Sequence, residues 1–264
     1  AVAPGYKADL AVFDDLRTLN VKQVYKGGKL VAENGKMLHQ KEKNTDWSTE
    51  IKERVFHSFH RVPITVEELQ LKETTGTHQR VIDMVAHELI TKERIEEWKE
   101  LPGVAPGVDI SRDIVKLAAI ERHKNTGHVG LGFLGKYGLK KGAVATSIGH
   151  DSHNLVIAGV TDEDMVLAGN RVIENGGGLA IALEGKVLAD LPLPIGGLMA
   201  DEPVEVVDEK LEHMKKLSVE LGISEDIDAF MTLAFISLPV IPKLRLNTYG
   251  VVDVEKHQVV EARF

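Results

Sequence analysis

No cysteine occurs in the 264-residue sequence. That absence excludes disulfides, thiolate zinc sites and a cysteine nucleophile, and it fits a reducing, cytoplasmic compartment. Any metal ion would have to be held by His, Asp and Glu. No apolar run approaches the roughly 18 residues of a bilayer span, and no secretory leader pattern is present, so the chain has no reason to enter a membrane. Basic residues are not in excess: 32 Lys and Arg stand against 40 Asp and Glu, a formal charge of −8, with both signs interspersed. Without a basic face, nucleic acid is not expected as a partner. A serine-hydrolase G-x-S-x-G is missing as well.

What is present is a 43% hydrophobic chain, long enough for one large domain or two smaller ones. It starts without an initiator Met on Ala1–Leu10 and reads as a piece of a longer protein. Short alternating stretches at 8–13, 21–25 and 29–32, punctuated by Gly27-Gly28 and Asn34-Gly35, indicate a small antiparallel β unit over residues 1–40. Residues 41–75 are charged, lack a long period and read as a linker, with Pro63 fixing an extended path.

Over 76–264 strand and helix signals alternate. Strands are expected at 81–86, 114–120, 143–148 and 155–160, and a hairpin at 179–183 and 186–189. Thr161 with Asp164 reads as a helix start, followed by Met165, Ala168, Gly169 and Val172 on one face. A second helix is expected from Asp201, with Pro203 in its first turn and Val204, Val207, Leu211, Met214 and Leu221 on one stripe, ending at Gly222. The fold class is therefore α/β with α+β character: a mixed sheet with helices, preceded by the antiparallel unit.

Two polar clusters follow apolar runs. One, at 149–154, contains His150, Asp151, Ser152 and His153; the other, at 121–128, contains His123 and His128. Residues three apart on a strand point to opposite faces, so His150 and His153 converge only if the chain turns between them. The plain reading is a polar turn at a sheet edge. If strands 114–120 and 143–148 are parallel neighbours, both clusters lie at one sheet edge, where αβ proteins bind ligands. His123, His128, His150, Asp151 and His153 are then candidate metal or substrate ligands, imidazole and carboxylate together suiting a divalent ion. His57 and His60 read as solvated surface. Gly130, Gly132 and Gly135 spell G-x-G-x-x-G without a strand before or a helix after, so that stretch reads as a tight or mobile loop. Residues 192–199 read as a turn and packing segment, and Ser152 as a turn former.

Three pieces taken together resemble the bacterial adenine deaminase family of the amidohydrolase superfamily: 4–13 with 24–32, 120–127 through 145–154, and 191–199 with 230–242. The resemblance implies that 1–40 is the strand return of an amidohydrolase β-domain and that 76–264 is the deaminase C-terminal αβ domain. It implies a cytoplasmic, homo-oligomeric enzyme that hydrolyses adenine to hypoxanthine and ammonia with water activated by a divalent metal, Mn or Fe, with Zn an alternative. The superfamily carries its metal in a barrel whose first strand bears His-x-His, and no His-x-His occurs here. The principal ligands are thus expected upstream of Ala1, and the isolated piece is expected to be inactive. The alternative is a non-catalytic metal-binding or oligomerisation module.

Overall fold

The computed structural model describes residues 2–38, 47–71 and 75–264; the expected boundary at 40/41 lies outside them. The chain divides into two compact units, Ala1–Ser48 and Thr49–Phe264.

The first unit is an antiparallel meander of β1 (Leu10–Phe13), β2 (Val21–Lys26), β3 (Lys29–Glu33) and β4 (Lys36–Met37), in that order. Asn34 and Gly35 both have positive φ, 48° and 76°, the signature of the tight hairpin turn that Asn-Gly favours. None of its described residues is buried. The turn between β1 and β2 is tied by exposed side-chain bonds: the Asp14 carboxylate accepts from the Thr18 hydroxyl at 2.9 Å and the Asn20 amide at 3.1 Å.

The second unit runs α1 (Thr49–Phe56), β5 (His78–Met84), β6 (Thr91–Glu97), β7 (Ile114–Ile120), β8 (Val129–Gly135), β9 (Ala143–Thr146), β10 (Leu155–Gly159), α2 (Asp162–Glu174), β11 (Gly178–Leu183), β12 (Lys186–Pro192), α3 (Val204–Glu220), α4 (Ala229–Ile236), β13 (Leu244–Asn247), β14 (Gly250–Asp253) and β15 (Gln258–Val260). Eight strands form one mixed sheet in the order β12-β11-β9-β10-β7-β8-β5-β6, with β5 and β8 its parallel pair. β13, β14 and β15 make a separate three-stranded antiparallel sheet.

Both faces of the large sheet are covered, which is why β7, β9 and β10 are continuously apolar instead of alternating. Leu117 and Ala119 of β7 face a cluster with Met214 of α3, Leu233 of α4, Leu244 and Val251. Ala118 and Ile120, on the opposite face, pack with Met165 and Val172 of α2 and with Ile64 and Leu69. The exception in β7 is Lys116, 1% exposed, whose ammonium meets Asp162 in the first turn of α2 at 2.7 Å. Thr161 caps α2 by accepting from the Asp164 N–H at 3.3 Å, and Met165, Ala168, Gly169 and Val172 form its buried face.

Three sequence expectations change. Pro203 is the N-cap of α3, with extended ψ of 148°, and the helix starts at Val204. Val204 is 73% exposed, so the buried stripe begins a turn later. The glycine-rich stretch is not a loop but β8, inside the sheet. A Cβ on Gly130 would fall 1.8 Å from the Asn247 carbonyl oxygen: the glycine admits the β13–β14 turn against β8, a tertiary reason that local sequence does not display.

Candidate functional site

The site is built at the edge where β7 and β9 end. These strands point the same way but are not neighbours, so only half of the condition set by the sequence is met; β10 runs between them, antiparallel to both. The loop after β9 therefore turns straight back into β10 beside the loop after β7, and the two polar clusters meet.

The cluster after β7 is folded around Glu121. Its carboxylate receives the backbone N–H groups of His123, Lys124 and Thr126 and the Thr126 hydroxyl. Burial works to raise its pKa, but these four donors hold it down at about 2. The turn so fixed sends Arg122 inward and leaves His123 outside.

Arg122 is 1% exposed. Its Nε donates to the His153 carbonyl, its Nη2 to the Gly196 carbonyl at 3.1 Å, and its guanidinium lies 4.9 Å from the centre of the Phe59 ring. Gly197, at φ +74°, closes the far side: a Cβ there would meet Arg122 Nη1 at 2.5 Å. The glycine pair in 192–199 thus permits close approach to a buried guanidinium of the same chain. Burial pulls the Arg122 pKa down to about 10, with the nearby Glu121 charge opposing. Nη1 has no hydrogen-bond partner.

In the loop after β9 the chain turns within five residues. The His153 N–H bonds to the Gly149 carbonyl and His153 takes a positive φ of 49°. That turn brings the His150 and His153 rings to 5.5 Å between centroids, the convergence the spacing required. The loop docks on the C-terminal half of α4: the His150 N–H donates to the Ala234 carbonyl at 2.8 Å, the Ser237 hydroxyl to the His150 carbonyl at 3.3 Å, and the His150 ring lies 4.8 Å from that of Phe235. Ser152 serves the turn, its hydroxyl accepting from the Asn154 amide at 3.1 Å.

Four of the five candidate residues share this edge. His150 and His153 are half-buried and Asp151 is exposed. His123, also exposed, reaches across from the other loop, its Nε2 donating to the Ser152 carbonyl at 2.7 Å. His128 is elsewhere: at the start of β8, its ring stacks obliquely on Tyr249 at 4.8 Å. His60 is exposed as expected, yet both ring nitrogens are engaged, Nδ1 with the His123 carbonyl at 2.7 Å and Nε2 with the His57 carbonyl at 2.8 Å. Sequence reading passed over Arg122 and Phe235. The available signal was an arginine two residues after the end of β7, a mostly apolar strand, at the point where the chain leaves the sheet.

Burial first, then the neighbouring His150, Arg122 and His123 charges, lower the His153 pKa, while Asp151 opposes them. Its Nδ1 is buried without a partner, as is the Asn154 Oδ1. The edge therefore offers a largely neutral imidazole with an unused ring nitrogen. It does not suit a divalent cation. Among the described residues no group of three or more His, Asp or Glu is arranged to hold a metal, and the Arg122 cation bonded to the His153 carbonyl opposes a second positive charge.

A family model described as the adenine deaminase C-terminal domain matches residues 88–258. The chain is 44% identical over 261 residues to adenine deaminase 2 of Carboxydothermus hydrogenoformans, covering 98% of this chain and 44% of that protein. It is 40% identical over 261 residues to the adenine deaminase of Lysinibacillus sphaericus, with the same coverage. It is 42% identical over 256 residues to that of Petrotoga mobilis, covering 97% and 44%. The chain thus spans less than half the length of these relatives. With more than half of its residues matched, both loops of the edge among them, the chain belongs to the adenine deaminase C-terminal domain family.

Proposed function

We propose that this chain is the C-terminal part of a cytoplasmic adenine deaminase, and that its 149–153 loop lends His150 and His153 to the purine pocket of the whole enzyme. The parent reaction is hydrolysis of adenine to hypoxanthine and ammonia. The hydroxide for that reaction comes from a divalent ion, Mn, Fe or Zn by resemblance, for which the described residues supply no ligand set. The role left to the loop is binding and orientation. A neutral imidazole presents one donor and one acceptor, which is the pattern a purine edge asks for, and it adds no charge.

The observation that carries this reading is the buried, unpartnered Nδ1 of His153 beside the His150 ring, in a loop that the Glu121 turn and α4 hold in place. The test is His150→Ala with His153→Ala in an enzyme of the relatives' full length, assayed on adenine. Loss of about tenfold in kcat/KM, carried mainly by KM, is expected from two hydrogen bonds to a neutral ligand. Unchanged kinetics would overturn the reading.

A second reading rests on the other bonds of the edge. Arg122, His123 and His60 all bind backbone carbonyls or ring-to-backbone partners, as a structural clasp does. The domain would then be an oligomerisation module without chemistry. The same double variant would leave kinetics intact and alter the sedimentation behaviour of the enzyme.

A further inference from the structure

Between α4, the β5–β6 connection and β13 lies a cavity of about 160 Å³. Met84, Met231, Phe235 and Ile236 give it apolar walls, Glu88 stands at its exposed mouth, and Arg245 lines it. Arg245 belongs to the strand sequence Leu-Arg-Leu-Asn, where alternation places it opposite the core residues Leu244 and Leu246. It is 0% exposed. Nη1 donates to the Leu244 carbonyl at 3.0 Å and Nη2 to the Leu89 carbonyl, while Nε has no partner. Among the described residues no carboxylate forms an ion pair with it, Glu88 included. Burial alone pulls its pKa down to about 10, with no acidic group opposing. A guanidinium held in this way is an expensive arrangement unless an anion completes it.

We propose that this cavity binds a small monocarboxylic acid, its carboxylate on Arg245 and its apolar group against Met84, Met231, Phe235 and Ile236. Size sets the apolar part: an apolar cavity of about 150 Å³ admits a benzene-sized molecule. Charge sets the head group, because one buried cation with Glu88 at the mouth suits a monoanion and disfavours a phosphate dianion. Phe235 carries the consequence outward, since its ring lines the cavity and also lies 4.8 Å from the His150 ring. An occupant therefore touches a side chain on which the 149–153 loop packs.

The test titrates benzoate, and separately its uncharged isostere benzamide, into the chain while the methionine methyl and histidine ring resonances are followed by NMR. Benzoate should shift the Met84 and Met231 methyls and the His150 ring in a saturable way, and bind about tenfold or more tighter than benzamide, the worth of a hydrogen-bonded charge. Arg245→Met should erase the preference for benzoate. Met231→Trp, a change at a 47% exposed position, should block both ligands by filling the mouth while leaving Arg245 in place. Equal binding of benzoate and benzamide to the unaltered chain, or benzoate binding that leaves Met84 unmoved, would overturn the proposal. Benzoate binding retained in an enzyme of the relatives' full length supports a free acid. Its loss there would overturn that source in favour of an acidic side chain of the enzyme.

Discussion

Arg122 and Arg245 are both buried to 1% or less, both drawn down to about 10 by burial, and both without an ion-pair partner among the described residues. They are solved differently. Arg122 is enclosed: two carbonyls from separate segments, the Phe59 ring and the Gly197 backbone surround it. Arg245 is held by two carbonyls and is one of the residues lining a cavity. A buried cation can therefore act as a clasp that fixes loops, or as a wall that waits for an anion, and the surroundings of its orphaned nitrogen separate the two.

The largest effect that would break this contrast is on stability. Arg122→Ala leaves the His153 and Gly196 carbonyls without this donor and opens a hole under two loops, at a cost of about 3 kcal/mol. Arg245→Ala should cost less, about 1 kcal/mol. The Leu244 carbonyl keeps its bond from the Thr91 hydroxyl at 2.8 Å, and Leu89, 53% exposed, can turn to water. Urea unfolding of the two variants decides the matter, and equal costs would remove the distinction between clasp and wall.

The second effect is smaller and shows only with pH. The Arg122 edge contains a histidine whose folded pKa lies below its ordinary 6.5, first through burial and then through neighbouring positive charge. The unfolded chain then takes up the proton first, so the contribution is fully present above about pH 6.5 and is lost as pH falls from there toward the folded value. No histidine lines the Arg245 cavity. His153→Gln should therefore flatten the fall in melting temperature between pH 7.5 and 5.5, and an unchanged slope would show that His153 is not held neutral.

How far the sequence discloses these two regions follows from where each is determined. β7, β9 and β10 are apolar apart from Lys116 and Thr146, and α2 carries its own cap and stripe, so local chemistry suffices for them. The polar pair of loops was legible as residues, but the reason they meet, β10 threaded between β7 and β9, is a topological fact with no local signature. β6 is charged enough along Thr91–Glu97 to pass for a loop. β8 looked like a loop because its glycines answer to β13 and β14, more than a hundred residues away. Arg245 was silent for the same reason: in a strand of alternating type it reads as an outward residue, and only the packing of α4 and the β5–β6 connection over it makes it buried.

The smallest effect concerns His123, the exposed member of the edge. Its Nε2 faces a carbonyl oxygen, that of Ser152, so this nitrogen must carry the proton and donate. One exposed neutral hydrogen bond is worth about 0.5–1 kcal/mol, and the Arg122 bond to His153 one residue further on remains when it is removed. His123→Ala should thus lower stability by that amount and speed amide exchange at residues 150–154, while the Met84 and Met231 methyl resonances of the Arg245 cavity stay where they are. His123→Gln keeps a donor of similar reach and should recover part of the protection. A loss as large as that of Arg122→Ala would mean that the outer histidine, and not the buried arginine, holds the two loops together.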